Sequence, residues 1–190
     1  METALITSLQ TLKTLPEADK ALITEAFRPM NVKEGEFLFD GGKICREMYF
    51  IRKGVLRLVS FDDKGNDVTY FFLKENQFCT NLDSFLNERP AVNGIQAACD
   101  AEVMAITRTQ LFELYAKLPY LKSIIENLQQ QQLLQKIELQ NAFHHKDAAA
   151  RYQLFTQLQP EVARQVKLQD VASYLGIAPQ SLSRLRKQVQ

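Results

Sequence analysis

The chain has 190 residues, 46% of them hydrophobic, enough for one sizeable core and a small satellite domain. Its formal net charge is +1, from 23 Lys and Arg against 22 Asp and Glu, which excludes a polybasic, sequence-blind coat for nucleic acid and leaves room for local asymmetry. No apolar run approaches the roughly 20 residues that span a bilayer, and the opening segment has neither a charged lead nor a signal-type apolar stretch, so a cytoplasmic protein with no membrane partner is expected.

Residues 3 to 28 carry apolar positions at helical spacing (Leu5, Leu9, Leu12, then Leu22, Ile23, Phe27), broken at Leu15-Pro16, and predict two short lead helices. From Asn31 the period changes. Short runs rich in β-branched and aromatic residues are punctuated by Gly35, Gly41-Gly42, Gly54, Gly65-Asn66 and Asn93-Gly94, which predicts a β-sandwich or barrel-like roll. Apolar and polar residues alternate from Val55 to Val59, whereas Met48 to Ile51 reads as buried on both faces. The three cysteines Cys45, Cys79 and Cys99 are too widely spaced for a zinc site or a disulfide framework; buried or half-buried thiols are expected, with no metal and no cofactor.

Helix resumes at Thr109 and continues past a break near Pro119. Leu121, Ile125, Leu128, Gln132, Gln135 and Leu139 alternate four and three apart, the spacing of a two-stranded coiled-coil seam, and predict a homodimer. A helix that packs on the roll would use the same stripe, and glutamine at two of its positions dilutes it. Asn141 to Asp147 reads as a hinge before a last domain; His144 and His145 are adjacent, point different ways and are taken as hinge residues, not ligands.

The end of the chain is the most specific segment. Leu168, Val171, Ala172 and Leu175 lie at offsets 0, 3, 4 and 7 on one helical face, Gly176 closes that helix, Ile177 turns inward, and Pro179 opens a second helix whose Leu182 and Leu185 face the core. Gln180, Ser181, Ser183, Arg184, Arg186 and Lys187 are left facing outward. Gln pairs bidentately with adenine, Arg with guanine, and Ser or Lys with phosphate. Between Arg164 and Gln190 five cations (Arg164, Lys167, Arg184, Arg186, Lys187) stand against Asp170 alone. A solvated polar face on any small helical domain remains the competing reading of the motif taken by itself.

Lead helices, a Gly-punctuated roll, a long seam helix and a terminal helix-turn-helix together resemble the cyclic AMP receptor protein and fumarate/nitrate regulator (Crp/Fnr) family of bacterial transcription factors, over essentially the whole chain. The carrying residues are Gly35-Glu36, Met48 to Arg57, the turn at Gly65, Glu102 to Ile106, and Ala172, Gly176 and Leu182-Ser183-Arg184. The resemblance implies an α+β chain: a cyclic-nucleotide-binding-like β-roll sensor domain with lead helices over 1–118, a dimerisation helix and hinge over 119–145, and a helix-turn-helix DNA-binding domain over 146–190. It places Gln180, Ser181 and Arg184 where the family reads base edges, and Lys167, Gln169 and Ala178 where it touches phosphate; Lys187 adds a phosphate contact by its charge. It implies as partners double-stranded DNA with a palindromic operator, a second copy of the chain, RNA polymerase and a small-molecule effector of unidentified kind. A β-wing after the recognition helix is expected to be absent or truncated, with Arg164 to Val166 supplying a short strand before it.

The chain departs from the family at the effector pocket. Cyclic nucleotide binders carry a Gly-Glu pair after the strand matched here by Lys74 to Phe78, then an Arg-Ser-Ala that neutralises the phosphate; the matching positions are Thr80-Asn81 and Ala91-Val92-Asn93. Without the guanidinium, a half-buried phosphate loses hydration and gains no partner, so a response to cyclic AMP is not expected. Arg89, two residues away, substitutes only if its loop shifts. The alternative function is a small-molecule sensor or protein-interaction module whose terminal helices do not bind DNA specifically. Catalysis is not expected: no Ser/His/Asp or Cys/His set is brought together by the order of elements, and Asp62-Asp63 are expected in a hairpin turn beside Gly65.

Overall fold

A computed structural model of the protein describes residues 3–61 and 67–189; the expected Asp62 to Asn66 hairpin turn and Gln190 lie outside the described residues. The lead segment forms helices α1 (Ala4–Gln10) and α2 (Glu17–Ala26), separated at Leu15-Pro16 as expected. Strands β1 (Arg28–Val32), β2 (Phe37–Phe39), β3 (Glu47–Lys53), β4 (Leu56–Phe61), β5 (Asp67–Leu73) and β6 (Phe78–Cys79) follow, then helix α3 (Leu82–Asn87) and strands β7 (Gly94–Ala97) and β8 (Ala101–Thr107). Helices α4 (Arg108–Lys117), α5 (Pro119–Phe143), α6 (Ala148–Leu158), α7 (Pro160–Gln165), α8 (Leu168–Leu175) and α9 (Pro179–Val189) complete the chain. The strands form two antiparallel four-stranded sheets, ordered β1-β8-β3-β6 and β2-β7-β4-β5, so the chain is α+β with an N-terminal roll.

Strand alternation divides the apolar side chains among three cores. Tyr49, Ile51, Leu56, Phe71, Ile95 and Val103 meet between the sheets. Met48, Phe50, Met104 and Ile106 leave the first sheet on its other side and are covered by α1, α2, α4 and the start of α5, which is why Met48 to Ile51 is buried on both faces. Phe72 leaves the second sheet outward and, with Val55 just before β4, joins the core of the C-terminal helices.

The expected seam residues pack within the chain. Leu121 and Ile125 are fully buried against the chain's own first sheet, Leu128 packs on that same core, and Leu139 packs toward the roll interior. Gln132 turns its amide onto the free edge of β6, donating to the Phe78 carbonyl (3.1 Å) and accepting from the Phe78 N–H (2.9 Å). These five positions therefore face the roll. A four-and-three spacing describes any single helical face, and the outer face of the first sheet needs covering before any second chain arrives.

Two smaller expectations also change. Arg164 and Gln165 belong to α7, opened by Pro160 and Glu161, and are not strand; Val166 alone has extended backbone at its C-terminus. Within Lys74 to Phe78 only Phe78 is strand, because Glu75 and Asn76 form a turn in which Asn76 has φ of 64°.

Ile125→Ala is expected to lower the unfolding free energy by about 2 to 5 kcal/mol, the cost of an unfilled core site, whereas Leu134→Ala, on the exposed face of α5, leaves it within about 0.5 kcal/mol at protein concentrations where the chain is monomeric. Urea unfolding followed by circular dichroism measures both; equal losses would contradict the packing.

Candidate nucleic-acid interface

The terminal motif folds as its residues dictate. Val171, Ala172 and Leu175 bury one face of α8 against Leu182 of α9 and against Tyr152, Phe155 and Val162 of α6 and α7. Gly176 adopts φ 62°, ψ 41°, and its N–H reaches the Ser173 carbonyl (3.2 Å) while that of Ile177 reaches the Ala172 carbonyl (2.9 Å), a left-handed helix stop that suits a residue without Cβ. Asp147 caps α6 by accepting from the Ala150 N–H (2.8 Å).

This packing leaves one face of α9 open. Gln180, Ser181, Arg184, Arg186 and Lys187 are exposed and Ser183 is half-buried, with the cations in its later turns. Gln169 and Ala178 are exposed as well. All seven expected contact residues lie on the surface, those for bases on α9 and those for phosphate at the start of α8, in the turn before α9 and at the end of α9. Lys167 differs from the others: its ammonium is held by Glu34 of the β1–β2 turn at 2.7 Å, an ion pair that also raises its pKa above the ordinary lysine value.

Arg57, the polar residue of the alternating Val55 to Val59 run, does not turn to water. Its guanidinium lies under α8 with a side chain only 8% exposed. Nε donates to Gln96 (2.7 Å), Nη1 to Thr69 (2.8 Å) and to Asp170 of α8 (2.9 Å), and Nη2 to Asp67. The Thr69 N–H donates to Ser173 Oγ (2.9 Å), a second bond across to α8. Burial raises the Asp170 pKa against the opposing pull of Arg57. The available signal was Asp170 itself, the one anion in a cationic segment.

The effector positions serve the roll's own turns. Thr80 donates its hydroxyl to the Glu47 carbonyl (2.9 Å), and Asn81 caps α3 by accepting from the Ser84 N–H (3.3 Å). Ala91 is buried, whereas Val92 is 81% exposed and Arg89 is exposed at the surface. No charged side chain stands at these four positions. Cys45 and Cys79 are buried and Cys99 is half-buried, as expected, and burial pushes the Cys79 thiol well above its ordinary pKa. Among the described residues no group of His, Cys, Asp and Glu is placed to hold a metal ion, and no helix is long and apolar enough to cross a membrane. His144 and His145 fall where α5 ends, His145 with φ of 59°.

Residues 29–117 match the cyclic nucleotide-binding domain family. Solved structures share the fold of most of the chain. The c-di-GMP responsive global regulator CLP of Xanthomonas campestris superimposes with a TM-score of 0.70 at 13% identity, covering 92% of each chain. A putative Crp/Fnr-family transcriptional regulator from Eubacterium rectale gives 0.70 at 17% identity, over 96% of this chain and 87% of that one. The catabolite activator protein of Thermus thermophilus gives 0.56 at 20%, over 96% and 86%. No curated protein matches the chain by sequence.

Adding a Cβ at Gly176 meets nothing nearer than Arg151 Nη1 at 3.8 Å, so a substitution there is strained by its backbone and not by crowding. Gly176→Ala is expected to cost about 1 kcal/mol of stability and Gly176→Asn less, because Asn tolerates the left-handed region. Urea unfolding checks the order, and Asn destabilising as much as Ala would contradict it.

Proposed function

We propose that this chain, which combines a cyclic nucleotide-binding domain with the fold of the Crp/Fnr regulators, is a homodimeric, sequence-specific DNA-binding transcription regulator that does not respond to cyclic AMP. The observation that carries the reading is α9: its inner face is sealed by Leu182 and its outer face presents Gln180, Ser181 and Arg184 beside Arg186 and Lys187. A helix with amides and guanidiniums aimed outward fits the major groove. Gln180, Ser181 and Arg184 read base edges, while Lys167, Gln169 and Lys187 hold phosphates. The absence of charge at Thr80, Asn81, Ala91 and Val92 supports an effector other than a cyclic nucleotide.

The dimer face is the exposed side of α5. Leu133 (54% exposed), Leu134 (60%) and Ile137 (43%) lie outside; Leu134 and Ile137 are two residues from Gln132 and Leu139 and so about 200° round the helix from the roll-facing stripe. Asn127, Gln130, Leu134, Ile137 and Asn141 alternate three and four apart on that side. A second copy pairing there repeats α9 about one duplex turn away, which predicts an inverted-repeat operator.

Double substitution Leu134→Asp with Ile137→Asp is expected to convert dimer to monomer in sedimentation velocity while leaving the circular dichroism spectrum intact; a persistent dimer would place the interface elsewhere. Arg184→Ala is expected to lose roughly 1 to 3 kcal/mol of discrimination at one base pair, and Lys187→Ala to reduce the salt slope of binding by about 1 without relaxing sequence preference. Affinity for duplex measured from 50 to 200 mM salt separates this reading from a protein-docking module. Several phosphate contacts per dimer force a steep fall, and a flat profile would favour the docking module.

A further inference from the structure

A cavity of about 440 Å³ lies away from the family's effector positions: none of Thr80, Asn81, Ala91 and Val92 borders it. Its walls come from the end of β5 and the turn after it, from the second half of α5, and from the α6–α7 junction. Phe71, Phe72, Leu139, Ala142, Leu158 and Val162 make those walls largely apolar, and Leu158 stands 48% exposed at the margin. A hollow of this size and character suits a small organic molecule, whose apolar surface leaves water and gains close packing on entry.

The polar groups around it select among ligands. Lys74, the one cation among the described lining residues, is committed to Glu161 of α7 (2.6 Å), whereas Glu138 has no ion pair among the described residues. Lys136 does not line the cavity; its ammonium lies over the Tyr70 and Phe71 rings, 4.9 and 5.2 Å from their centroids. An anion that entered would lose hydration, meet the Glu138 carboxylate and find no free cation in the wall. Amides fit a neutral guest. Gln77 Oε1 accepts from the Lys74 N–H (2.9 Å), which leaves its NH2 to donate, and Gln135 and the buried Gln159 add further amides to the lining. The rings of Phe71 and Phe72 offer stacking or edge contacts to another ring. Building on the reading of an effector other than a cyclic nucleotide, we propose that this cavity holds that effector, and that the effector is an uncharged molecule with an aromatic body and a hydrogen-bonding edge.

Two dyes that share one aromatic body test the site on the full chain: N-phenylnaphthylamine, which is uncharged, and anilinonaphthalene sulfonate, its anionic counterpart. The uncharged dye is expected to brighten and saturate at one per chain, and the sulfonate to bind about tenfold more weakly or worse. Gln135→Trp at the exposed rim and Ala142→Trp on the wall are each expected to weaken the uncharged dye by about tenfold with an unchanged circular dichroism spectrum, because the indole takes its space. Gln135 is exposed, so its variant reports on the cavity even if Ala142→Trp fails to fold. Absence of saturable binding, binding that neither variant weakens, or equal affinity for the two dyes overturns the proposal. A titration with cyclic AMP keeps the two readings apart. Saturable binding of cyclic AMP would defeat the effector reading on which the proposal rests, whereas dye failure in a chain that also ignores cyclic AMP defeats the cavity alone.

Discussion

A guanidinium buried at the junction of two folded units organises this molecule. Arg57 stands on the outer face of the second sheet, where an alternating strand would ordinarily turn a charge to water, and α8 closes over it. A charge so desolvated is tolerable only when its donors are met, and Gln96, Thr69, Asp67 and Asp170 meet them. Three of those partners come from the roll and one from the helical unit. Removing the helical unit would not strand the arginine, but it would uncover Phe72 and Val55 beside it. The pair is therefore better suited to fixing orientation than to supplying net stability, in keeping with the modest balance of buried ion pairs.

The same logic of faces governs α5. Its first half exists to cover Phe50, Phe78 and Met104, and it does so with Leu121, Ile124 and Ile125. Its second half reaches past the roll, keeps Gln132 and Leu139 inward, and leaves Leu133, Leu134 and Ile137 outside. One helix thus carries two stripes, one satisfied within the chain and one unpaired. A parallel pairing through the unpaired stripe would place two reading heads on the same end of the dimer.

Much of this was legible in the residues. The Gly-punctuated strands, the break at Pro119 and the Leu175-Gly176-Ile177 stop all specify backbone, and local chemistry is enough to read them; the change of period read at Asn31 comes three residues late, since β1 begins at Arg28. The exposed face of α9 was legible for the same reason, since Leu182 and Leu185 leave only one side for Gln180, Ser181 and Arg184. What spacing does not encode is which surface a helical face meets. Leu121, Ile125, Leu128, Gln132 and Leu139 obey the seam rule and face the chain's own roll. Lys167 and Arg57 were similarly opaque, because their partners Glu34 and Asp170 are distant in sequence and become neighbours only when the two units dock.

At the centre of the account is a pair of reading heads related by a two-fold axis and spaced by one turn of duplex. Sequencing the duplexes that the purified full chain retains from a random pool tests it most directly. An enriched inverted repeat with half-sites about 10 base pairs apart, centre to centre, is the predicted result. A pool that emerges unenriched, or enriched only for a single unrepeated site, would contradict it.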